Sequence, residues 1–273
     1  RADESAQEKA EQALRNARET LPKENFPADW LMATRNLGLL YLDREGEDNL
    51  RMAIDLLQQT QTIERRDTSP ANWAMSQLGI ANAHFHLGHH AEALQSYTPI
   101  IAGDILQVAP ITWAEARVSR GSIHAMQGNV DKAKADFEAA LTAVWRRESF
   151  PADWARVSRG ICTLDVEYDG ADMESLQAAA DRLDLVLEEF ARARHPHEWA
   201  RTHVVRSNAL WRAWQFDRER CELAEGAIAS AKAALEELTD DRELQQQLDD
   251  YRREYESSPC SNTRLFDEID PTP

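Results

Sequence analysis

The chain has 273 residues, with 31 Lys and Arg against 48 Asp and Glu and a formal net charge of −17. This length argues against a disulfide-stapled miniprotein, and the acidity argues against binding of nucleic acid or anionic membrane through bulk charge. Ten glycines and ten prolines are few for a loop-rich β sandwich, while the abundance of Ala, Leu, Glu and Arg predicts an all-α chain. No apolar run reaches the roughly 20 residues of a membrane helix, and no signal sequence opens the chain. It begins with Arg1, which reads as the start of an excised or processed fragment.

Residues 2 to 21 form an amphipathic stretch, with Ala6, Ala10, Ala13, Leu14, Ala17 and Leu21 at helical spacing. It leads into the first of five copies of one phrase, P-x-x-W. Trp30, Trp73, Trp113, Trp154 and Trp199 are separated by 43, 40, 41 and 45 residues, and Pro27, Pro70, Pro110, Pro151 and Pro196 each stand three positions earlier. Proline is tolerated in the first turn of a helix, so each phrase predicts a helix start, and Ser69 is expected to cap the second copy. Eight residues after each tryptophan stands a small residue: Gly38, Ala81, Gly121, Cys162 or Ser207. A small side chain there allows a neighbouring helix to approach closely. Gly46, Gly88, Gly128 and Gly170 then mark turns, and the fifth copy departs with Trp214, Gln215 and Phe216.

A second helical pattern follows each turn, for example Ala133, Phe137, Ala140 and Leu141, or Ala93, Tyr97 and Ile100. The fourth copy carries an apparent insertion from Asp169 to Met173. The first stretch, residues 2 to 21, has the character of a second helix whose own first helix is absent. Residues 241 to 256 are polar nearly all round, with Leu244 and Leu248 as anchors, which suits a capping helix. From Ser257 the tail to residue 273 is expected to be loose. The repeated tryptophans are expected to supply the main apolar mass at each joint.

The segment Gly121 to Leu141, read as G-(x6)-G-(x4)-A-(x3)-F-(x2)-A-L, resembles the second half of the tetratricopeptide repeat, and NAHFHLG from Asn82 to Gly88 resembles that family's first-helix ending. The resemblance covers about residues 25 to 240. It departs in period, since the usual unit is about 34 residues and here it is 40 to 45. The extended form looks like tetratricopeptide-like arrays of large bacterial regulatory proteins. The resemblance implies an α-α superhelix over residues 1 to 256: about five helix pairs starting near 27, 70, 110, 151 and 196, an orphan helix before them and a cap after them.

In that family the first helices line the concave face. The resemblance places ligand contacts at fixed offsets after the tryptophan, and the candidates among them here are Arg35, Asn82, His86, Ser122, Met126, Arg156, Arg159, Thr163, Arg201, Asn208 and Arg212. Guanidinium groups in such a groove would grip an acidic or C-terminal peptide; alternatively, the arginines lie over apolar surface or pair with acids of neighbouring helices. The family's chaperone clamp uses lysines that are missing here.

No catalytic motif, phosphate-cradling glycine loop or zinc-ligand spacing occurs, so no enzyme activity and no cofactor are expected. His84, His86, His89 and His90 hint at metal, but Gly88 interrupts them and a polar turn accounts for them, so no metal site is assigned. Cys162, Cys221 and Cys260 are odd in number and far apart, which reads as inert thiols in a reducing, cytoplasmic setting. The expected function is a protein-interaction or scaffold module with a protein or peptide partner, and no nucleic acid or membrane. The alternative is a regulatory sensor array controlling a linked catalytic domain, with an intramolecular domain as its partner.

Overall fold

The structure is a computed structural model and describes residues 2–44, 46–168 and 170–261, with side chains from Ser5 onward. Thirteen helices and no strand occur among the described residues. The chain falls into two compact units, Arg1–Val144 and Trp145–Pro273.

The first unit contains α1 (Ala2–Thr20), α2 (Pro27–Leu42), α3 (Glu47–Gln61), α4 (Pro70–His86), α5 (His90–Ile101), the single turn α6 (Ile105–Val108), α7 (Pro110–Met126) and α8 (Val130–Ala143). The pairs α2 with α3, α4 with α5 and α7 with α8 are helical hairpins, and neighbouring first helices α2, α4 and α7 also touch. The second unit contains α9 (Pro151–Glu167), α10 (Met173–Glu189), α11 (Pro196–Phe216), α12 (Cys221–Leu235) and α13 (Arg242–Glu256). Here α9 pairs with α10 and α11 with α12, and α13 lies on α12.

Every P-x-x-W proline occupies the first turn of a helix, as the sequence predicts. The residue before it is held out of the helical region, at φ between −132° and −146°, because the proline ring crowds a helical conformation there. The amide of each tryptophan makes the helix's first closing bond, to the carbonyl of that preceding residue, as in Trp73 to Ser69 at 2.9 Å. Ser69 supplies only this carbonyl: its side chain makes no capping bond, which corrects the expectation of a serine cap. The proline itself stands in for a cap, since it removes one donor and presets φ.

The tryptophans sit differently from the expected core role. Trp113 is buried, whereas Trp30, Trp73, Trp154 and Trp199 are half-buried. The fully buried residue is the one after: Ala74, Ala114, Ala155 and Ala200 have no exposed surface, and Leu31 is also buried. Where two helices cross closely only a small side chain fits, so the indole lies beside the crossing and covers its edge. The small residue eight positions after the tryptophan is buried in all five copies. A Cβ added at Gly121 would come within 2.7 Å of the Phe137 ring and 3.2 Å of the Ala133 carbonyl.

The turns at Gly88 and Gly128 take φ of 73° and 72°, a left-handed conformation that glycine adopts without strain. In the fourth copy, with Asp169 outside the described residues, α10 starts instead from a capping box between Asp172 and Ser175. In the fifth, α11 runs on to Phe216, and Trp214 is fully buried with its indole N–H on the Arg218 carbonyl at 3.2 Å.

α1 docks on α2 through a polar cluster. Tyr41 and Arg44 both bond the Glu11 carboxylate, and Arg15 bonds Glu11 and the Tyr41 hydroxyl. The Tyr41 hydroxyl first, with the guanidinium of Arg44, holds the Glu11 carboxyl down at about 2. At the other end, α13 buries the expected anchors Leu244 and Leu248 and also Tyr251 and Tyr255, so the stretch read as polar nearly all round has one apolar stripe.

The cysteine expectation is corrected. α13 folds back along α12, so Cys221 at the start of α12 and Cys260 beyond α13 meet with Cα atoms 5.5 Å apart in a disulfide. A separation of 39 residues along the chain is cancelled by the hairpin, which spacing alone does not show. Disulfides persist in oxidising surroundings, so these two residues no longer speak for a reducing compartment. Cys162 lies outside the disulfide, buried, with its thiol directed to the Ala179 carbonyl at 3.6 Å. The expected loose tail is corrected over Ser257–Ser261, which form turns against the end of α13 with Cys260 buried; residues 262–273 lie outside the described residues.

Candidate functional site

On a helix of 100° per residue, positions two, five, nine and thirteen after the tryptophan lie within about 80° of one another. They are centred about 90° round the helix from the crossing formed by positions one and eight, with position five nearest to it. Within each unit these positions recur on neighbouring first helices, so they form rows.

The arginines at position five are structural. Arg35 is only 11% exposed; it pairs with Glu64 and donates to the Ser76 hydroxyl of α4 at 3.3 Å. Arg159, 14% exposed, pairs with Glu198 and reaches the Thr202 hydroxyl of α11 at 3.4 Å. Ser76 and Thr202 each stand three residues after the tryptophan of the next copy. The same two repeat positions therefore make the same joint in both units.

Other expected groove residues are also engaged inside the fold. Asn82 accepts a hydrogen bond from the Tyr97 hydroxyl at 2.6 Å. Asn208 accepts from the Tyr251 hydroxyl at 3.0 Å and from Gln247, both on the capping helix. Arg212 donates to the Val166 and Tyr168 carbonyls. Ser122 and Thr163 bond carbonyls one turn back in their own helices, those of Val118 and Arg159.

Four expected residues do remain at the surface. His86 and Met126 are exposed at position thirteen of α4 and α7, and Arg156 and Arg201 are exposed at position two of α9 and α11. Arg156 pairs with Asp153 at 2.7 Å and lies over the Trp145 ring at 5.8 Å, and Arg201 has no ion pair among the described residues. The structure adds three residues that a search for polar groups passes over. Met32 and Met75, at position two of α2 and α4, and Ile111 on α7 are exposed, and with Met126 they range from 41 to 65%. Their signal was available: position two reads Met, Met, Glu, Arg, Arg along the five copies.

A further repeat feature lies at the edge of this face. A cation stands seven residues before four of the five tryptophans, Lys23, Arg66, Arg147 and Arg192, and each lies over its indole at 5.2 to 5.6 Å. In the third copy that position is Leu106, and Arg117 covers Trp113 from within α7, at 4.8 Å. Arg147 also pairs with Glu188 and Glu189, and Arg192 with Glu236 and Glu237, tying each turn to the end of the following second helix.

The histidines do not converge. His84 lies beside His89, and the rings of His86 and His90 each pack against Phe85. Among the described residues no group of three or more His, Cys, Asp or Glu could hold a metal, and no described helix is long and apolar enough to cross a membrane.

No protein-family model matches the chain. Tetratricopeptide repeat protein 14 of Mus musculus is 34% identical over 76 residues, and the chain spans only 9% of that protein's length, with 28% of the chain aligned. Among solved structures, the P58(IPK) TPR domain aligns over 93% of this chain and 67% of its own, at 15% identity and a TM-score of 0.40. A structure of nearly identical TPR-like repeats from a Podosopora anserina kinesin light chain covers 76% of this chain and 95% of its own, at 17% identity and a TM-score of 0.52. The chain has a tetratricopeptide-like repeat fold. The period of 40 to 45 residues exceeds the usual unit of about 34, and each first helix opens on the proline and the tryptophan.

Proposed function

We propose that this chain is a noncatalytic protein-interaction module that docks a peptide or a partner protein on its first-helix faces. The observation that carries this is the separation of roles on those helices. The polar residues at position five are consumed in joints, while position two stays exposed in α2, α4, α9 and α11. Exposed residues in register on neighbouring helices form a surface that a partner can span.

The expectation of an acidic or C-terminal peptide rests most heavily on arginines, and three of them, Arg35, Arg159 and Arg212, have internal partners. That specificity is carried by Arg156 and Arg201 in the second unit. The docking reading is tested by placing a photo-crosslinking amino acid at position 75 or 156, and at Glu138 on the outer helix α8 as a control. A partner trapped from position 75 or 156, and then bound in purified form by the intact chain, is the expected result. Equal trapping from position 138 would remove the assignment of the face.

A further inference from the structure

We infer that the Cys221–Cys260 disulfide is a redox latch on α13, and that a dithiol reductant opens the face beneath that helix to an amphipathic helix of the same kind. The last step rests on the docking reading above, to which it adds a means of control. The face beneath α13 includes part of a first helix. Asn208, at position nine of α11, is one of the expected ligand contacts, yet it accepts hydrogen bonds from the Tyr251 hydroxyl at 3.0 Å and from Gln247, both on α13. Three residues further on, the Trp211 ring stacks on the Tyr251 ring with centroids 4.0 Å apart. α13 therefore occupies, from within the chain, a stretch of the surface on which a partner would dock.

The occupant itself shows what this surface accepts. Of the 15 residues of α13, Leu244, Leu248, Tyr251 and Tyr255 are buried, at the spacing of one helical stripe. Isolated helices of this length are marginal in water, so α13 depends on that stripe and on its attachments. There are two. Residues 236–241 tie its start to the end of α12, and past its other end the disulfide returns the chain to the start of α12. Cutting the bond leaves one attachment, lowers the effective concentration of α13 at its own site, and lets an outside helix with the same stripe compete.

The two sulfurs differ in access. Cys221 is half-buried and Cys260 is buried, so attack falls on Cys221. A thiolate of the reductant bonds to the Cys221 Sγ, the S–S bond breaks, and Cys260 leaves as a thiolate that takes up a proton. The second thiol of the reductant then displaces Cys221, which is protonated in turn. The reductant departs as a cyclic disulfide, having passed two electrons and two protons to the two cysteines.

The probe is a fluorescent synthetic peptide of residues 241–256, titrated by anisotropy against the intact chain before and after treatment with dithiothreitol. Reduction is expected to tighten its binding at least about tenfold, and Tyr251→Ala in the peptide to weaken it by about tenfold. Cys260→Ser should bind the peptide as the reduced chain does and take no notice of dithiothreitol. Hydrogen exchange on the same samples should rise in α13 on reduction, with α9 and α10 still protected. Equal binding in the two redox states, or none in either, overturns the latch, as does a Cys260→Ser chain that still responds to the reductant. Undiminished protection of α13 after reduction, or loss of protection through α9 and α10 as well, overturns it too. The docking reading survives such a failure and is judged separately, by crosslinking from positions 75 and 156.

Discussion

The two units are built from the same repeat and present opposite chemistry at the same position. Two residues after the tryptophan, the first unit exposes Met32 and Met75, and the second exposes Arg156 and Arg201. Five residues after it, both units use an arginine in the same way, Arg35 to Ser76 and Arg159 to Thr202. The difference teaches that the repeat separates two kinds of position. Joint positions satisfy a neighbouring helix and keep their chemistry, whereas the exposed position two reads Met, Met, Glu, Arg and Arg along the copies. An arginine on a first helix is therefore a binding candidate only once its place in the joint is known.

The units also differ in what secures their ends, and this is where the comparison breaks most sharply. The second unit is closed by α13 and the Cys221–Cys260 disulfide, whereas α1 of the first unit is held by the Glu11, Arg15, Tyr41 and Arg44 cluster. Cys221→Ser is expected to cost up to about 4 kcal/mol, the loop-closure value for a ring of this size. Hydrogen exchange should show lost protection in α12 and α13 with α2 to α5 unchanged; full protection of α13 after reduction would show that packing alone holds it. In the first unit the corresponding weak point is a close approach. Gly121→Val should cost about 1–3 kcal/mol, because the Phe137 ring and the Ala133 carbonyl have little room to move. A urea midpoint unchanged from wild type would contradict the tight crossing.

Acidification separates the units more gently. Burial pushes His203 in the second unit down to about 4, with Arg206 adding to the effect and Asp184 and Glu236 opposing it. The unfolded chain binds more protons than the folded one between about 6.5 and 4, so the second unit loses stability as pH falls through that window. Glu11 is held at about 2, so the docking of α1 weakens only between about 4.5 and 2, again as pH falls. Exchange that rises first in α1 on acidification would reverse this order. The smallest effect is expected from Arg147→Ala, about 1 kcal/mol or less, because its pair with Glu188 is exposed and its pair with Glu189 only half-buried, and its contact with Trp154 is one cation–π interaction.

The sequence made the helix pairs legible because its strongest signals report backbone and steric requirements. Proline marks helix starts, glycine marks left-handed turns, and a small residue at position eight marks a close crossing. The candidate face was legible only in part. Arg35, Asn82, Arg159, Asn208 and Arg212 fall on the expected side of their helices, but their partners are 15 to 46 residues away, and no periodicity reveals which groups meet across a joint. Met32 and Met75 escaped for the opposite reason, since an apolar residue in a helical repeat is expected to be core. The disulfide required knowledge of how α12 and α13 fold back on each other. The basic residue seven before the tryptophan was readable and regular, and it acquires meaning once the indole is seen to lie at the rim of the joint.

The Cys221–Cys260 bond has a mechanical consequence. A pull transmitted through the chain beyond Cys260 passes directly to Cys221 and bypasses the chain between them, a separation of 39 residues. While the bond is intact, about 130–140 Å of contour, at about 3.5 Å per extended residue, is withheld from extension, and α12 and α13 are shielded from the load. Reduction would release that length in addition to whatever the rest of the unit yields, so a force–extension trace of the intact chain would report the redox state of this bond as a change in length.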